Sequence, residues 1–414
     1  MISAALKRRR TVVLLLILLA CLVPCEASSG DRNPTFQHCL KGCVSKICES
    51  SNAPALPPYL SLFRWTCEDN CKYHCVHSFT DNIPIGGQWH QFYGKWPFYR
   101  LGPIQEPLSV MMSLGNLYIN LRGIFELKRR VREDNKLSKW LKLAGWCQVN
   151  TWFWSTVFHT RDTPITERLD YFSATITVAV SLLYAILRVF HLQTPVSTSR
   201  LACPISIGLA VLIMSHFTYL LSFPLGSFPY GYHTKFVIAL AMVHNIIWIL
   251  WSLSFHITLP TLTVRGTEIR IPAPYPPNDP RKVVPPTANT PAFLVLLTTL
   301  AMSFEILDFP PFLRIADAHA IWHGCTIPLA VAWWSFFCTD AIDFEGSLLD
   351  MRGGGVGVGM DEKMPLSGGA GGHTGPVTRS MAAESPRTPL DSTSQLGAIV
   401  MPSSSKSPGK DRLE

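Results

Sequence analysis

Ser155 and His159 stand four residues apart, and so do His319 and His323; both pairs sit in stretches that are otherwise largely apolar. On a helix, residues i and i+4 share a face with their Cβ atoms roughly 5–6 Å apart. His319 and His323 can therefore grip one metal ion from a single helix. A third imidazole, His159, would complete a three-histidine set that leaves the fourth position to water, which is the donor set of a catalytic zinc. Zinc held this way lowers the pKa of its water toward ~7 and makes it a nucleophile. Asp170 could accept the proton, orient the water, or fix a histidine from behind. Ser155 could hydrogen-bond the water or a developing oxyanion. A Ser155–His159–Asp170 hydrolase triad has the right residue types. It leaves His319 and His323 idle, however, and the chain has no G-x-S-x-G elbow.

The elements that must carry these residues are membrane spans. The chain is 48% hydrophobic and only 15% charged, against about 25% charged in soluble domains. The net charge of +8 is concentrated in short basic runs. It reads as topology information and not as a nucleic-acid footprint. Lys7 to Arg10, the apolar run Thr11 to Val23 and the small residues Ala27, Ser28 and Ser29 form a signal peptide over 1–27. An uncleaved anchor is the rival, disfavoured by the short apolar core. Seven apolar stretches follow, near 105–126, 140–160, 169–191, 201–223, 233–255, 291–308 and 317–339. The second and sixth are the weakest. The fold class expected is an all-α seven-transmembrane bundle over 101–340, with a small Cys-rich lumenal domain over 28–100.

Cys21 and Cys25 leave with the signal peptide, and six cysteines then precede the first span: Cys39, Cys43, Cys48, Cys67, Cys71 and Cys75. An even number in a short exported segment implies three disulfides of undetermined pairing. Such a segment is too small to build much of a core unaided. A zinc ribbon with His74 or His77 is the competing reading, but the spacing is not C-x-x-C and the compartment is oxidising. Cys147, Cys203, Cys325 and Cys338 read as packing residues.

The loop from Lys128 to Lys139 carries six basic residues and is cytosolic by the positive-inside rule. Alternation then puts Ser155, His159, Asp170, His319 and His323 in one layer at the lumenal end, although none of them entered the charge argument. Ionisable groups inside spans usually mark function. Glu305 and Asp308 lie at the same end and could back the imidazoles or cap a helix. Asp317 reads as the cap of the last span, and Pro310-Pro311 as the stop of the sixth. His216, His244 and His256 read as packing residues. The Pro-rich loop near 256–290 and the Gly/Ser/Pro tail over 345–414 carry no periodic pattern and are expected to be disordered.

Several long runs resemble a known family. They include Gln91 to Phe98, Ile104-Gln105-Glu106-Pro107, Asn150 to Ser155, Phe158 to Asp162, Thr166 to Phe172, Asp308-Phe309-Pro310-Pro311 and Asp317 to His323. Across most of residues 36–340 the chain resembles the Per-like, post-GPI-attachment lipid-remodelling phospholipases. These fall in a wider superfamily with alkaline ceramidases and adiponectin-type receptors. The superfamily pattern is S-x3-H on the second span, Asp opening the third and H-x3-H on the seventh. It maps onto Ser155, His159, Asp170, His319 and His323. The resemblance implies zinc on the three histidines and removal of the sn-2 acyl chain from the phosphatidylinositol of a GPI anchor, with reacylation by another enzyme. GPI-anchored proteins and membrane lipids are the implied partners. The implied home is the endoplasmic reticulum membrane, or the Golgi, with the N-terminus lumenal. A ceramidase-like amide hydrolase would use the same zinc chemistry. A GPI-protein receptor or chaperone with a structural zinc is the non-enzymatic alternative; a closed structural site wants four protein ligands.

Overall fold

The structure is a computed structural model that describes residues 28–50, 54–192, 201–257, 259, 262–264, 267–269 and 284–353. The signal-peptide segment and the tail from 354 lie outside the described residues, as does most of the Pro-rich loop.

The chain begins with a small helical unit. Helix α1 (Pro34–Cys43) runs on as a π-helical turn, Val44–Cys48; a short α2 (Pro58–Leu62) and α3 (Cys67–Asp81) follow. Asn33 accepts from Thr35 N at the start of α1. Thr66 and Asp69 form a reciprocal capping box at α3. The six cysteines form three disulfides, Cys39–Cys75, Cys43–Cys71 and Cys48–Cys67. Buried Phe36, Leu40 and Phe92 complete the core around them. Three crosslinks supply the stability that so few apolar residues cannot. The disulfides also exclude the zinc-ribbon reading.

Seven long helices follow: α4 (Pro107–Arg130), α5 (Ser138–Thr160), α6 (Pro164–Val189), α7 (Cys203–Leu221), α8 (Tyr230–Leu253), α9 (Thr290–Leu307) and α10 (Ala318–Gly353). They match the expected stretches closely. Helices α4, α5, α6, α8, α9 and α10 pack in that order into a closed ring, since α10 returns to α4; α7 packs outside, on α6. A two-stranded antiparallel hairpin, β1 (Leu262–Val264) and β2 (Thr267–Ile269), interrupts the expected all-α class between α8 and α9. Helix α9 stops at Leu307, where Asp308 adopts a left-handed cap at φ 38° ahead of Pro310. Helix α10 continues to Gly353, past residue 345.

Five of the seven, α6 to α10, are long and apolar enough to cross a membrane, which marks a multi-pass membrane protein. Helices α4 and α5 are equally long but more polar. In α4 the reason is geometric. Ser109, Ser113, Asn116, Asn120 and Gly123 recur at helical spacing and are buried against the bundle, whereas Met111, Leu114, Tyr118 and Phe125 face outward. Polar residues inside and apolar residues outside are the arrangement a lipid solvent selects.

Candidate metal centre

His159 sits on the last turn of α5; His319 and His323 occupy the first two turns of α10. Their rings converge. Centroids are 5.1 Å apart for His159–His319 and for His159–His323, and 4.3 Å for His319–His323. One nitrogen from each ring lies within 4.8 Å of the other two.

The outward nitrogens are already engaged. His159 Nδ1 lies 2.7 Å from Glu106 Oε2, and His319 Nδ1 lies 2.5 Å from Glu305 Oε2. A carboxylate can only accept here, so both imidazoles donate from Nδ1, which in the neutral ring leaves the lone pair on Nε2. His323 Nδ1 lies 3.1 Å from Ser113 Oγ. His159 Nε2 is buried and has no hydrogen-bond partner. An orphaned basic nitrogen beside two further imidazoles is costly unless a cation takes it up. Three imidazole donors fit zinc, with a position to spare.

The local sequence explains the placement. Asp317 accepts from Ala320 N and caps α10, which fixes the helix start two residues before His319. Asn116 donates to the His323 carbonyl at 2.8 Å, and the single hydroxyl proton of Thr326 is placed to donate to that carbonyl at 2.7 Å, with Asn116 Oδ1 3.1 Å away. Trp334 in turn donates to Asn120, so α4 and α10 are joined by a polar ladder.

Ser155 is buried with its Oγ 3.0 Å from Ser113 Oγ. It therefore reaches His323 through Ser113. Asp170 is buried on the second turn of α6, where its carboxylate feels the charges of His319, Lys95, Glu106 and Glu305. The five residues singled out by spacing thus gather at one end of the bundle. Glu305 touches His319 and accepts from Tyr230 Oη with its other oxygen. Asp308 accepts from Gln91 and Trp96 instead, tying the N-terminal segment to the end of α9.

Sequence reasoning missed Glu106, Lys95, Ser113 and Asn116 as site residues. The recurrence of Ser109, Ser113, Asn116 and Asn120 at i, i+4, i+7 and i+11 in a stretch otherwise apolar was a readable signal for a polar helix face. Nothing local marks Glu106. The histidines read from sequence as packing residues have partners of their own: His216 with His233 and Tyr232, His244 with Trp248, and His256 with Asn289.

Comparison with known proteins places this geometry. No solved structure matches the chain. The mouse protein named GPI-specific phospholipase A2-like PGAP3 is 34% identical over 321 residues, 76% of this chain and 90% of the mouse protein. The Drosophila melanogaster post-GPI attachment to proteins factor 3 is 34% identical over 331 residues, covering 77% and 90%. The Schizosaccharomyces pombe PER1 homolog is 33% identical over 319 residues, covering 75% and 86%. A family model described as the Per1-like family matches residues 57–341, a span that holds Glu106, Ser155, all three imidazoles and the second cysteine of each disulfide, and the chain belongs to that family.

Proposed function

We propose that this protein is a zinc-dependent acyl ester hydrolase that remodels GPI anchors, removing the sn-2 acyl chain of the GPI phosphatidylinositol. The observation that carries the reading is the convergence of His159, His319 and His323, two of them backed by carboxylates, at one end of an apolar bundle. The substrate class comes from the relatives, whose names tie them to GPI anchors.

Zinc held by the three imidazoles would supply Lewis-acid polarisation of an ester carbonyl and an acidified water. The chain's own residues do the rest. Glu106 and Glu305 hold His159 and His319 in the tautomer that presents Nε2. Asp170 would take the proton released as water attacks the acyl carbon. The paired hydroxyls of Ser155 and Ser113 would hydrogen-bond the developing oxyanion. The ester bond to the glycerol breaks, leaving a free fatty acid and a lyso-GPI. The outward apolar faces of α7, α8 and α9, with Ile207, Val243 and Phe293 exposed, leave the bundle wetted by lipid, so an acyl chain can approach from the bilayer. On this reading all seven helices cross the endoplasmic reticulum membrane, or the Golgi membrane, with the Cys-rich segment lumenal. The site then lies at headgroup depth, where the ester and water meet.

The test is the lipid on GPI anchors in cells that lack the protein, complemented with wild type or His319→Ala at equal expression. Wild type should restore the remodelled anchor, and His319→Ala should leave the unsaturated diacyl form. Equal restoration by both would remove the catalytic role of the histidines and favour a receptor or chaperone.

A further inference from the structure

We infer that Glu106 is a positioning residue for His159, and that Lys95 and the disulfide-linked N-terminal unit set its place, so that this unit completes the metal centre. The inference rests on the proposal that the three imidazoles hold zinc. It adds a role for a segment that contributes no ligand.

Glu106 precedes α4, and its side chain is 4% exposed. Its Oε2 accepts from His159 Nδ1 at 2.7 Å. Its Oε1 pairs with Lys95 Nζ. The backbone makes the same connection: Glu106 N donates to the His159 carbonyl at 3.1 Å, and Gln105 N to the Thr160 carbonyl at 3.0 Å. Glu106 is therefore stitched to the last turn of α5 by main chain and side chain together.

Lys95 is held as firmly. Its Nζ also lies 3.5 Å from Asp162 and 4.0 Å from the Phe158 ring centroid. Burial alone would favour the neutral amine, yet the adjacent Glu106 and Asp162 carboxylates raise its pKa and keep it charged. The backbone of Lys95 closes a tight turn with Phe92, through Phe92 N to Lys95 O at 2.7 Å and the reverse bond at 3.0 Å. Tyr93 and Gly94 supply the two positive φ angles, 52° and 77°, that this turn needs. Phe92 itself is buried in the disulfide core against Phe36 and Phe79. A continuous path thus runs from the crosslinked core through the turn, Lys95 and Glu106 to His159.

The other carboxylate-backed imidazole takes its direct partners from the bundle helices. Glu305 reaches His319 from α9 with Tyr230 behind it, all within the bundle. A carboxylate behind a ligating imidazole fixes its tautomer and ring orientation and raises its basicity, and removing one typically weakens metal binding 10–100-fold. Glu106 would exert that effect on His159, and Lys95 would hold the carboxylate in place.

The experiment is zinc affinity of the full-length protein in detergent, by competition with a chromophoric chelator. Wild type, Glu106→Ala, Glu106→Gln and the double variant Lys95→Met/Glu106→Gln would be compared, with His319→Ala as the ligand-loss control. Glu106→Ala should weaken zinc about 10–100-fold. Glu106→Gln keeps an acceptor for Nδ1 and should recover part of the loss. The double variant leaves no buried charge unpaired, so it guards against misfolding and should still bind more weakly than wild type. Wild-type affinity in both Glu106→Gln and the double variant would overturn the positioning role while leaving the zinc site standing. A wild-type protein that binds zinc no better than His319→Ala would overturn the zinc site itself.

Discussion

Asp170 and Arg188 are both buried on α6, and His319 and Asp340 both belong to α10, yet the two ends of these helices are built differently. At one end Arg188 makes a two-pronged ion pair with Asp340, through Nε at 2.8 Å and Nη2 at 2.6 Å. The two groups match in charge and planar geometry and fasten α6 to α10, with Arg188 Nη1 left outside the pair. At the other end three imidazoles converge, one ring nitrogen of each within 4.8 Å of the other two. One of those nitrogens has no partner at all. The clusters lie 17 residues apart between His323 and Asp340, or about 26 Å along a helix, close to the thickness of a bilayer core. A polar cluster of matched opposite charges is a fastening. One made of three converging imidazoles has the donors that could hold a cation.

The largest expected effect separates the two clusters by function. His159→Ala or His323→Ala should lower GPI-anchor remodelling by more than about 100-fold, and the purified variants should lose zinc. Replacing the ion pair with Arg188→Met/Asp340→Leu should leave zinc content at the wild-type level. Zinc loss from that double variant would show that the opposite end is part of the metal site after all.

Next comes stability. Arg188→Met alone strands Asp340 in the interior and should cost about 3–5 kcal/mol, as removal of one partner from a buried pair does. Adding Asp340→Leu should recover most of it, because an apolar pair of similar volume is often neutral. Thermal unfolding in detergent reads both. A double variant no more stable than the single would mean the pair holds the helices by more than its own charge match.

A smaller effect belongs to the ladder between α4 and α10. A Cβ on Gly123 would fall 2.3 Å from the Trp334 ring, and Trp334 is pinned through its Nε1 to Asn120. Gly123→Ala should cost about 1–3 kcal/mol by overpacking and should lower zinc affinity only slightly. The strain enters at Trp334, eleven residues from His323, and is spread along the ladder. A neutral substitution would mean that Trp334 turns freely despite its hydrogen bond.

Much of this was legible in the sequence, and for identifiable reasons. Ser155 with His159 and His319 with His323 advertise themselves because a helix repeats within one segment, so spacing alone puts each pair on one face. Charge in the Lys128–Lys139 loop then gathers the two segments at one end. The three disulfides followed from cysteine count, but Cys39–Cys75, Cys43–Cys71 and Cys48–Cys67 are nested pairs between α1 with its π-helical turn and α3. That order depends on two elements lying antiparallel, which no local spacing states. Glu106 and Lys95 were invisible for the same reason. Their partner His159 is 53 residues beyond Glu106, and each looks locally like an ordinary residue before a span. The sequence marked the second and sixth stretches as the weakest, yet α9 is apolar enough to cross a membrane and it is α4 and α5 that fall short; in α4 the polarity sits on the inward face.

The smallest effect tests whether the site is special or whether any buried histidine in this chain would serve. His77 is buried too, on α3, but both its nitrogens are engaged, with Phe98 O at 3.0 Å and an Arg314 donor at 2.9 Å. The guanidinium can only donate, so Nδ1 accepts and the ring is neutral. Burial lowers its pKa below the ordinary 6.5; the bond to Phe98 opposes this and Arg314 adds to it. The unfolded chain therefore takes up the proton first on acidification. His77 contributes stability that is complete above about pH 6.5 and fades as pH falls toward the folded value. His77→Gln in the zinc-loaded full-length protein should keep its zinc and show a flatter decline of melting temperature as pH falls below the ordinary histidine value of about 6.5. Parallel declines in variant and wild type would remove His77 as a source of the pH dependence. Loss of zinc from His77→Gln would erase the distinction between a histidine with both nitrogens bonded and one with a free lone pair.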